Sequence, residues 1–540
     1  MFKYFSKVLP LLLITCFSVL FIFTYLNLFQ SNFIKFSDTA KFADVARNLY
    51  NHKTLGKSFS FFDSKAIALQ SNDFFSVEGI PIANPIVSYI SFKLFGISDS
   101  SVMFPSILFF VLTSIVIYLL GQKISNKTVG FVSSLAFSSN IDMIRYASEG
   151  ASESFFIFQI VTSFYLLTIN KKWANIMAIF FLVIMYLTRP QAFVFIFVLI
   201  LYWLIINLGF KKALLTISAV GIIGLFIDIV VLQPLSFKLP VYSITARGEH
   251  AILHFSAGAA SSNGLRGDMT SELTYQDVGK KLFYNVYNFY KLLPQISSPY
   301  LIALYFIGLF IWSKSITYNA FKFTVTLSFI LLIFISSLTI PLIRYIHPVI
   351  PLLYILSVDT LVKIFEKIFS KKSTILLSSL LVILIFSVGQ TVGILLLDSR
   401  FERNTSNFGK PPAYKVLSEI LKQNTHPDDY ILTNLDTWGS WYGERKTMWY
   451  PISPRQIINL ENNEIPFNAI YLTSYLIDDK NYEMGYEWRQ IFNNPYNSSK
   501  WICDKCSDIA KNFEFKEEYN IPASDVYEKE DIKAILLVRK

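Results

Sequence analysis

The sequence predicts an all-α polytopic membrane protein of about eleven transmembrane helices. Interfacial helices are expected in its first outer loop, and a small C-terminal α/β extracytoplasmic domain after the last span. Two observations carry this reading. The chain is 53% hydrophobic, with 51 Phe, only 16% charged residues and a mean hydropathy of +0.45, whereas soluble domains carry about 25% charged residues. Long apolar runs also recur as far as residue 397, and the composition then turns to that of a soluble domain. The net charge of +10 does not mark a nucleic-acid partner. Many of the lysines fall in short turns between apolar runs, as the positive-inside rule requires.

The first run, 9–29, follows Lys3 and Lys7. It is too long for a signal peptide and lacks a small-residue cleavage site, so it reads as an uncleaved span with the N-terminus in the cytoplasm. Residues 30 to about 100 then form an outer loop. Within it Phe42, Ala46 and Leu49 stand at i, i+4 and i+7, one apolar face of a helix lying along a membrane surface. Asp38 begins that helix, either as a functional carboxylate or, like Ser37, as an N-cap. A kinked turn around Pro81 and Pro85 precedes a second interfacial or re-entrant helix at 86–95.

Further spans are expected at 102–120, 129–144, 151–167, 173–187, 192–208, 214–232, 300–312, 323–340, 346–362 and 375–397. Parity tests the list. With the N-terminus inside, the paired lysines at 171–172, 211–212 and 371–372 all fall on the cytoplasmic side. Arg145, Glu149, Glu153, Arg189, Arg344, the second long loop (234–299) and the tail after residue 398 all fall on the side of Asp38. The chain therefore divides into a transmembrane domain, 1–398, and a soluble extracytoplasmic domain, 399–540. In the latter a helix at 414–423 and strands at 430–432, 469–472 and 534–538 suggest an α/β unit. Cys503 and Cys506 form a CxxC, which outside the cytoplasm favours a local disulfide over zinc.

Ionisable residues at membrane depth are functional candidates by default. Asp38, Asp44, Arg47, Arg145, Glu149, Glu153, Arg189 and Arg344 gather on one face, which fits a pocket for a lipid phosphate. Arginine binds phosphate bidentately, and a carboxylate can act as general base on an acceptor. Snorkelling and interfacial ion pairs are the plainer alternative. Asp228 and Asp359 are less well placed and read as structural. His250 and His254, four residues apart beside Glu249, could share a helix face and hold a metal. They lack an HExxH pattern, and Glu78 is a further candidate. No P-loop, GxSxG or GxGxxG occurs.

Four stretches together resemble the GT-C membrane glycosyltransferases, in particular the protein O-mannosyltransferases and lipid A aminoarabinose transferases. They are Asp38-Thr39-Ala40-Lys41-Phe42-Ala43, Asn84-Pro85-Ile86-Val87-Ser88-Tyr89, Leu187-Thr188-Arg189-Pro190-Gln191, and Arg344-Tyr345 ahead of Pro348 and Pro351. The resemblance covers roughly residues 1–397 and implies transfer of a sugar from a polyprenyl-phosphate carrier to an acceptor glycan, lipid or protein. It makes Asp38 the catalytic carboxylate and Arg189 and Arg344 contacts of the carrier phosphate, with Tyr345 and Arg145 beside them. Asp44 and Glu153 are supporting acids. Relatives often have a second acid where Thr39 stands and Lys or His where Asn84 stands, so a divalent metal stays open and no other cofactor is implied. The expected location is the plasma membrane. Asp436-Thr437-Trp438-Gly439-Ser440-Trp441-Tyr442-Gly443 occupies the place of the Trp-Trp-Asp-Tyr-Gly motif of oligosaccharyltransferases in scrambled order, and reads as a strand-to-turn segment. An oligosaccharyltransferase-like or surface-polysaccharide assembly protein is one alternative function. A lipid or solute transporter is another.

Overall fold

The computed structural model describes residues 2–29, 33–61, 74–77, 80–236, 243–253, 273–311, 313–388, 410–451, 453–458, 467–478, 483–503, 506–526 and 528–540. They build a helical bundle with a six-stranded sheet packed on one end. The bundle begins with α1 (Phe2–Phe29), and α2 (Ser37–His52) and α3 (Ala83–Phe95) lie across its end. There follow α4 (Asp99–Ile124), α5 (Lys127–Ser138), α6 (Ile141–Ser148), α7 (Ser152–Ile169), α8 (Lys172–Tyr186), α9 (Ala192–Leu208) and α10 (Phe210–Ile227). After α10 come α11 (Ile244–Leu253), α12 (Tyr275–Ile296), α13 (Pro299–Leu309), α14 (Ile316–Leu338), α15 (Ile350–Glu366) and α16 (Lys371–Leu380).

Among the described residues six helices are long and apolar enough to cross a membrane, or up to seven if the bent pair α12–α13 counts as one span. The sequence predicted about eleven by hydropathy. The difference lies in short helices and in the span expected at 375–397, of which 389–397 lie outside the described residues. The stretch expected as one span, 129–144, is two helices, broken where Asn140 caps α6 by accepting from the Met143 amide. Nearly every residue of α5 is buried, so it is a half-length helix inside the bundle rather than a lipid-facing span. Helices α8 and α9 are apolar but only 15 and 17 residues long. The long loop 234–299 is itself partly helical, as α11 and α12.

Ser125 and Tyr318 donate to Asp359 at 2.5 and 2.7 Å, and Lys363 lies 2.6 Å from it, which draws together the ends of α4, α14 and α15. Asp359 is thus a tie between helices. Asp228 is structural too: it accepts from Ser243, from the Ile244 and Thr245 amides and from the Thr245 hydroxyl, capping α11.

The sheet runs β1-β3-β2-β4-β6-β5. Strands β2 (Tyr430–Thr433), β3 (Lys446–Trp449) and β4 (Ala469–Thr473) are parallel, and β5 (Phe513–Ile521) and β6 (Ile532–Arg539) close it antiparallel. Every residue of β2 and β4 is buried, as parallel strands covered on both faces require. Edge strand β5 carries Glu514, Lys516, Glu517 and Glu518, charges that discourage further pairing. The opposite edge, β1 (Phe59–Phe61), comes from the first loop and pairs Phe59 with Thr447. The soluble unit is therefore not confined to 399–540. Cys503 and Cys506 are joined in a disulfide.

This shared sheet explains α2. The helix buries Ala40, Phe42, Ala43, Val45 and Ala46 and packs between α3 and a short helix of the sheet domain, α18 (Trp438–Trp441), which follows α17 (Ala413–Asn424). It does not lie free on a membrane surface, because the sheet covers its second face. Two fixings hold it. Arg47 donates to the Ser440 and Trp441 carbonyls and to Asp44, all at 2.8 Å, with its guanidinium 5.1 Å from the Trp441 ring. The other Asp44 oxygen accepts from the Ser58 amide at 2.6 Å, beside β1. Asp99 at the start of α4 adds a second clamp, accepting from Trp441 and Tyr442 at 2.9 and 2.8 Å. Replacing one partner of a buried ion pair strands the other, at a cost of about 3–5 kcal/mol. Asp44→Ala is therefore expected to lower the melting temperature in detergent and to speed proteolytic release of the sheet domain. An unchanged melting curve would remove Asp44 from this role.

Candidate active site

Asp38 stands in the first turn of α2, where the helix dipole favours a negative charge. Phe36 is the N-cap residue and no side chain caps the helix. Asp38 is thus no cap. Its Oδ2 accepts from Arg344 Nη2 at 2.8 Å across 306 positions of sequence. Arg344 lies in a 3-10 turn, Ile343–Tyr345, ahead of a second such turn that ends in α15. Pro348 stands at the start of the second turn and Pro351 at the start of α15, positions that favour helix N-termini.

The second arginine sits in the turn between α8 and α9. Thr188 is fully buried, its hydroxyl accepting from Gln159 and its carbonyl from Asn84, both at 2.9 Å. The Ala83 amide donates to the Leu187 carbonyl at 3.0 Å. The Asn-Pro and Leu-Thr-Arg-Pro stretches are thereby one interlocked unit. From it Arg189 reaches Ser152 at 2.9 Å and Glu153 at 2.6 Å. The Tyr345 ring bridges the arginines, 5.9 Å from the Arg189 guanidinium and 5.6 Å from that of Arg344. The two ion pairs differ in access: the side chains of Asp38 and Arg344 are 39% and 27% exposed, those of Glu153 and Arg189 3% and 8%. Only the former lies open to an incoming molecule.

Asp38 is also charged. Burial pushes its carboxyl up, but Arg344, Lys41 and Arg189 outweigh that and hold it below the ordinary carboxylate value. A small cleft is lined by Thr39, the residue after Asp38, by Ser152, which Arg189 contacts, and by Asn84, Ser106, Phe109 and Phe155, while the Asp38 and Arg344 side chains lie outside its lining. Ile86 and Ile90 on α3 and Phe104 and Leu108 on α4 are exposed on the helices that form it.

Other expected residues lie elsewhere. Arg145 pairs with Glu149 at 3.2 Å and stacks over Phe36, and Glu149 also takes Tyr25 and Lys35. Asp44 serves the clamp on α2. Glu78 and His254 lie outside the described residues, and of His250 only the backbone is described, in α11. Among the described residues no group of three or more His, Cys, Asp or Glu could hold a metal.

A family described as dolichyl-phosphate-mannose-protein mannosyltransferase matches residues 81–235. The chain is similar in structure to ArnT from Cupriavidus metallidurans bound to undecaprenyl phosphate, at 12% identity and a TM-score of 0.53, with 97% of each chain covered. It is likewise similar to the apo state of that protein, at 14% identity and a TM-score of 0.51, covering 86% of this chain and 93% of that one. The chain has the GT-C fold. The archaeal oligosaccharyltransferase AglB from Archaeoglobus fulgidus, in complex with an inhibitory peptide and a dolichol-phosphate, shares the architecture at 10% identity and a TM-score of 0.52, over 88% of this chain and 70% of its own. No curated protein matches the chain by sequence.

Within this GT-C fold the sequence reading missed residues that border the site. Tyr146 meets His347 Nδ1 at 2.6 Å, with the Phe36 ring 5.9 Å from Tyr146. The segment read as strand-to-turn is a short helix, and it delivers Asp436 to Asp38. Asp436 has a left-handed backbone (φ 53°), is buried, and accepts from the Ser37 side chain, while Thr437 Oγ1 donates to the Ser37 carbonyl at 2.7 Å. The signal was present in Asp436-Thr437-Trp438, a polar run amid aromatics.

Burial, and then the negative Asp38 beside it, push the Asp436 carboxyl up to about 6. The folded protein therefore holds this proton to higher pH than the unfolded chain does. Stability falls as pH rises from the ordinary carboxylate value to about 6. Asp436→Asn is expected to remove that slope, so melting curves of the variant and parent diverge between pH 4 and 7, on the order of the window named. Parallel curves would place Asp436 outside the field of Asp38.

Proposed function

We propose that this chain is an integral-membrane glycosyltransferase that moves a sugar from a polyprenyl-phosphate carrier to an acceptor at the outer face of the plasma membrane. The observation that carries the reading is the half-buried Asp38–Arg344 pair at 2.8 Å, with Tyr345 joining it to Arg189. A base and a phosphate-binding group thus stand side by side, near helices α3 and α4, which carry exposed apolar residues.

In this mechanism the carrier phosphate engages Arg344, and Arg189 adds its field from the buried turn. Asp38 is released from Arg344 to face the acceptor. The acceptor O–H or N–H gives its proton to the Asp38 carboxylate as its heteroatom bonds to the anomeric carbon. The bond from that carbon to the phosphate oxygen breaks, and the electron pair leaves with polyprenyl phosphate. Arginine charge aimed at the leaving oxygens stabilises the transition state more than the ground state. One displacement needs one base and inverts the anomeric centre. Arg344 holds Asp38 charged in the free enzyme, so the acid limb of kcat/KM is expected to lie below the ordinary carboxylate range. Arg145, Asp44 and Glu153 act by holding neighbours: Arg145 holds Glu149, Asp44 holds Arg47, and Glu153 holds Arg189.

The sheet domain favours an acceptor read from the soluble side. Its Asp436–Thr437 corner touches the residue before Asp38, so a glycan or peptide on the sheet would meet the base directly. An oligosaccharyltransferase-like acceptor is the variant of the reading that this contact supports. A transporter would need its charges near mid-bilayer, whereas here they collect at the end of the bundle that the sheet covers.

In membranes supplied with undecaprenyl-phosphate-linked mannose, glucose or galactose and envelope acceptors, Asp38→Asn is expected to lower transfer by ~10²–10⁴-fold. Arg344→Lys keeps the charge but loses the planar fork, and is expected to lose ~10-fold or more. Full transfer by Asp38→Asn would sink the assignment of the base.

A further inference from the structure

Helix α12 (Tyr275–Ile296) has a face that the proposed chemistry does not use. Its buried stripe is Lys281, Asn285 and Phe289, spaced by one turn. Asn285 donates to the Ser337 carbonyl at 2.8 Å, and Lys281 reaches the Ala251 and Ile252 carbonyls in the last turn of α11 at 3.2 and 3.1 Å. Directly opposite stand Phe283, Tyr287 and Tyr290, flanked by Tyr284 and Val286; Phe283 is 77% exposed and Tyr290 69%. So large an aromatic surface on one helix is out of keeping with a water-facing element.

Two further facts identify what covers it. The axis of α12 turns by 111° into α13, an apolar helix with Tyr300, Phe306 and Ile307 exposed, as is Phe310 just after it. If α13 runs into the membrane, α12 lies close to its plane, and the aromatic face continues the lipid-facing belt. The polar margin of that face carries two lysines and one acid: Lys280 is largely exposed and lies 3.6 Å from Asp277, and the Lys291 ammonium lies 4.2 Å from the Tyr287 ring. Tyrosines at an interface with lysines beside them match the headgroup region of a bilayer, where aromatic rings sit at the boundary and ammonium groups meet lipid phosphates. On its inner side α12 packs against the Ile343–Tyr345 turn.

We propose that α12 is an in-plane membrane anchor, with Phe283, Tyr287 and Tyr290 immersed at the headgroup–acyl boundary and Lys280 and Lys291 on anionic headgroups. Through its packing on the turn it fixes the depth of Arg344 and Tyr345. The anchoring stands independently of the transferase reading; only the purpose of the depth, matching a carrier phosphate at headgroup level, rests on it.

The test uses the full chain with Cys16→Ser, to remove the free thiol, in nanodiscs of mixed zwitterionic and anionic phospholipid. An environment-sensitive fluorophore is attached at Tyr290→Cys or, if that variant does not accumulate, at Phe283→Cys. Tyr496→Cys, on the exposed part of the sheet domain, is the aqueous reference. Position 290 is expected to be quenched about threefold more by shallow spin-labelled lipid than by iodide, with the reverse at 496. Quenching at 290 by iodide alone would overturn the proposal in favour of a solvent-facing helix. Protection from both quenchers would overturn it in favour of a protein cover such as a second copy. Loss of transfer with quenching intact would bear on the transferase reading and leave the anchor standing.

Discussion

The structure depends on the burial of Arg47 against Asp44. Helix α2 lies between an apolar bundle and a sheet, and a helix so placed can keep charge only where that charge is matched. Arg47 is matched four ways, by Asp44, two carbonyls and the Trp441 ring, and Asp44 in turn holds the Ser58 amide beside β1. Taking any of these groups from water without its partner would cost several kcal/mol. The first loop and the C-terminal domain are therefore joined, and Asp38, two turns earlier on the same helix, has a fixed place. For the proposed base, a shift of about an ångström would remove much of its effect.

The same rule accounts for the arrangement of arginines. Arg145 has Glu149, Arg189 has Glu153 and Arg344 has Asp38. Two of those acids are almost wholly buried, so their pairs are held in the scaffold. The third is open. The chain thus uses one kind of interaction for two purposes, and exposure separates them.

Much of the bundle was legible in the sequence because its signals are local. Apolar runs, lysine-bearing turns and the Leu187-Thr188-Arg189-Pro190 corner each lie within a few residues. Parity alone put Asp38, Arg189 and Arg344 on one side, and Tyr345 followed from its neighbour. What could not be read was pairing over distance. Strand β1 is three residues long and alternates like any loop, so only its partner Thr447 makes it a strand. The surface orientation expected for α2 failed because its periodicity reports an apolar face without saying that a sheet covers the opposite one. Span counting overran at 129–144 because hydropathy does not register a break capped by Asn140. Asp436 was noticed as part of a motif, but its nearness to Asp38 is a property of the fold.

The shared sheet has a consequence for the order of assembly. Ser37 and Thr437, whose contact joins loop to domain, are 400 positions apart. During synthesis the first loop emerges long before β3 exists, so β1 has no strand to pair with and Arg47 has no carbonyls to meet. Such closures of distant segments are slow, because chain entropy is lost before any contact is gained. The newborn protein must therefore form its bundle with this end unfinished, and Asp38 gains its fixed place only when the sheet has folded. A chain halted before the sheet would carry Asp38 on a helix whose Arg47 has no carbonyls to hold it.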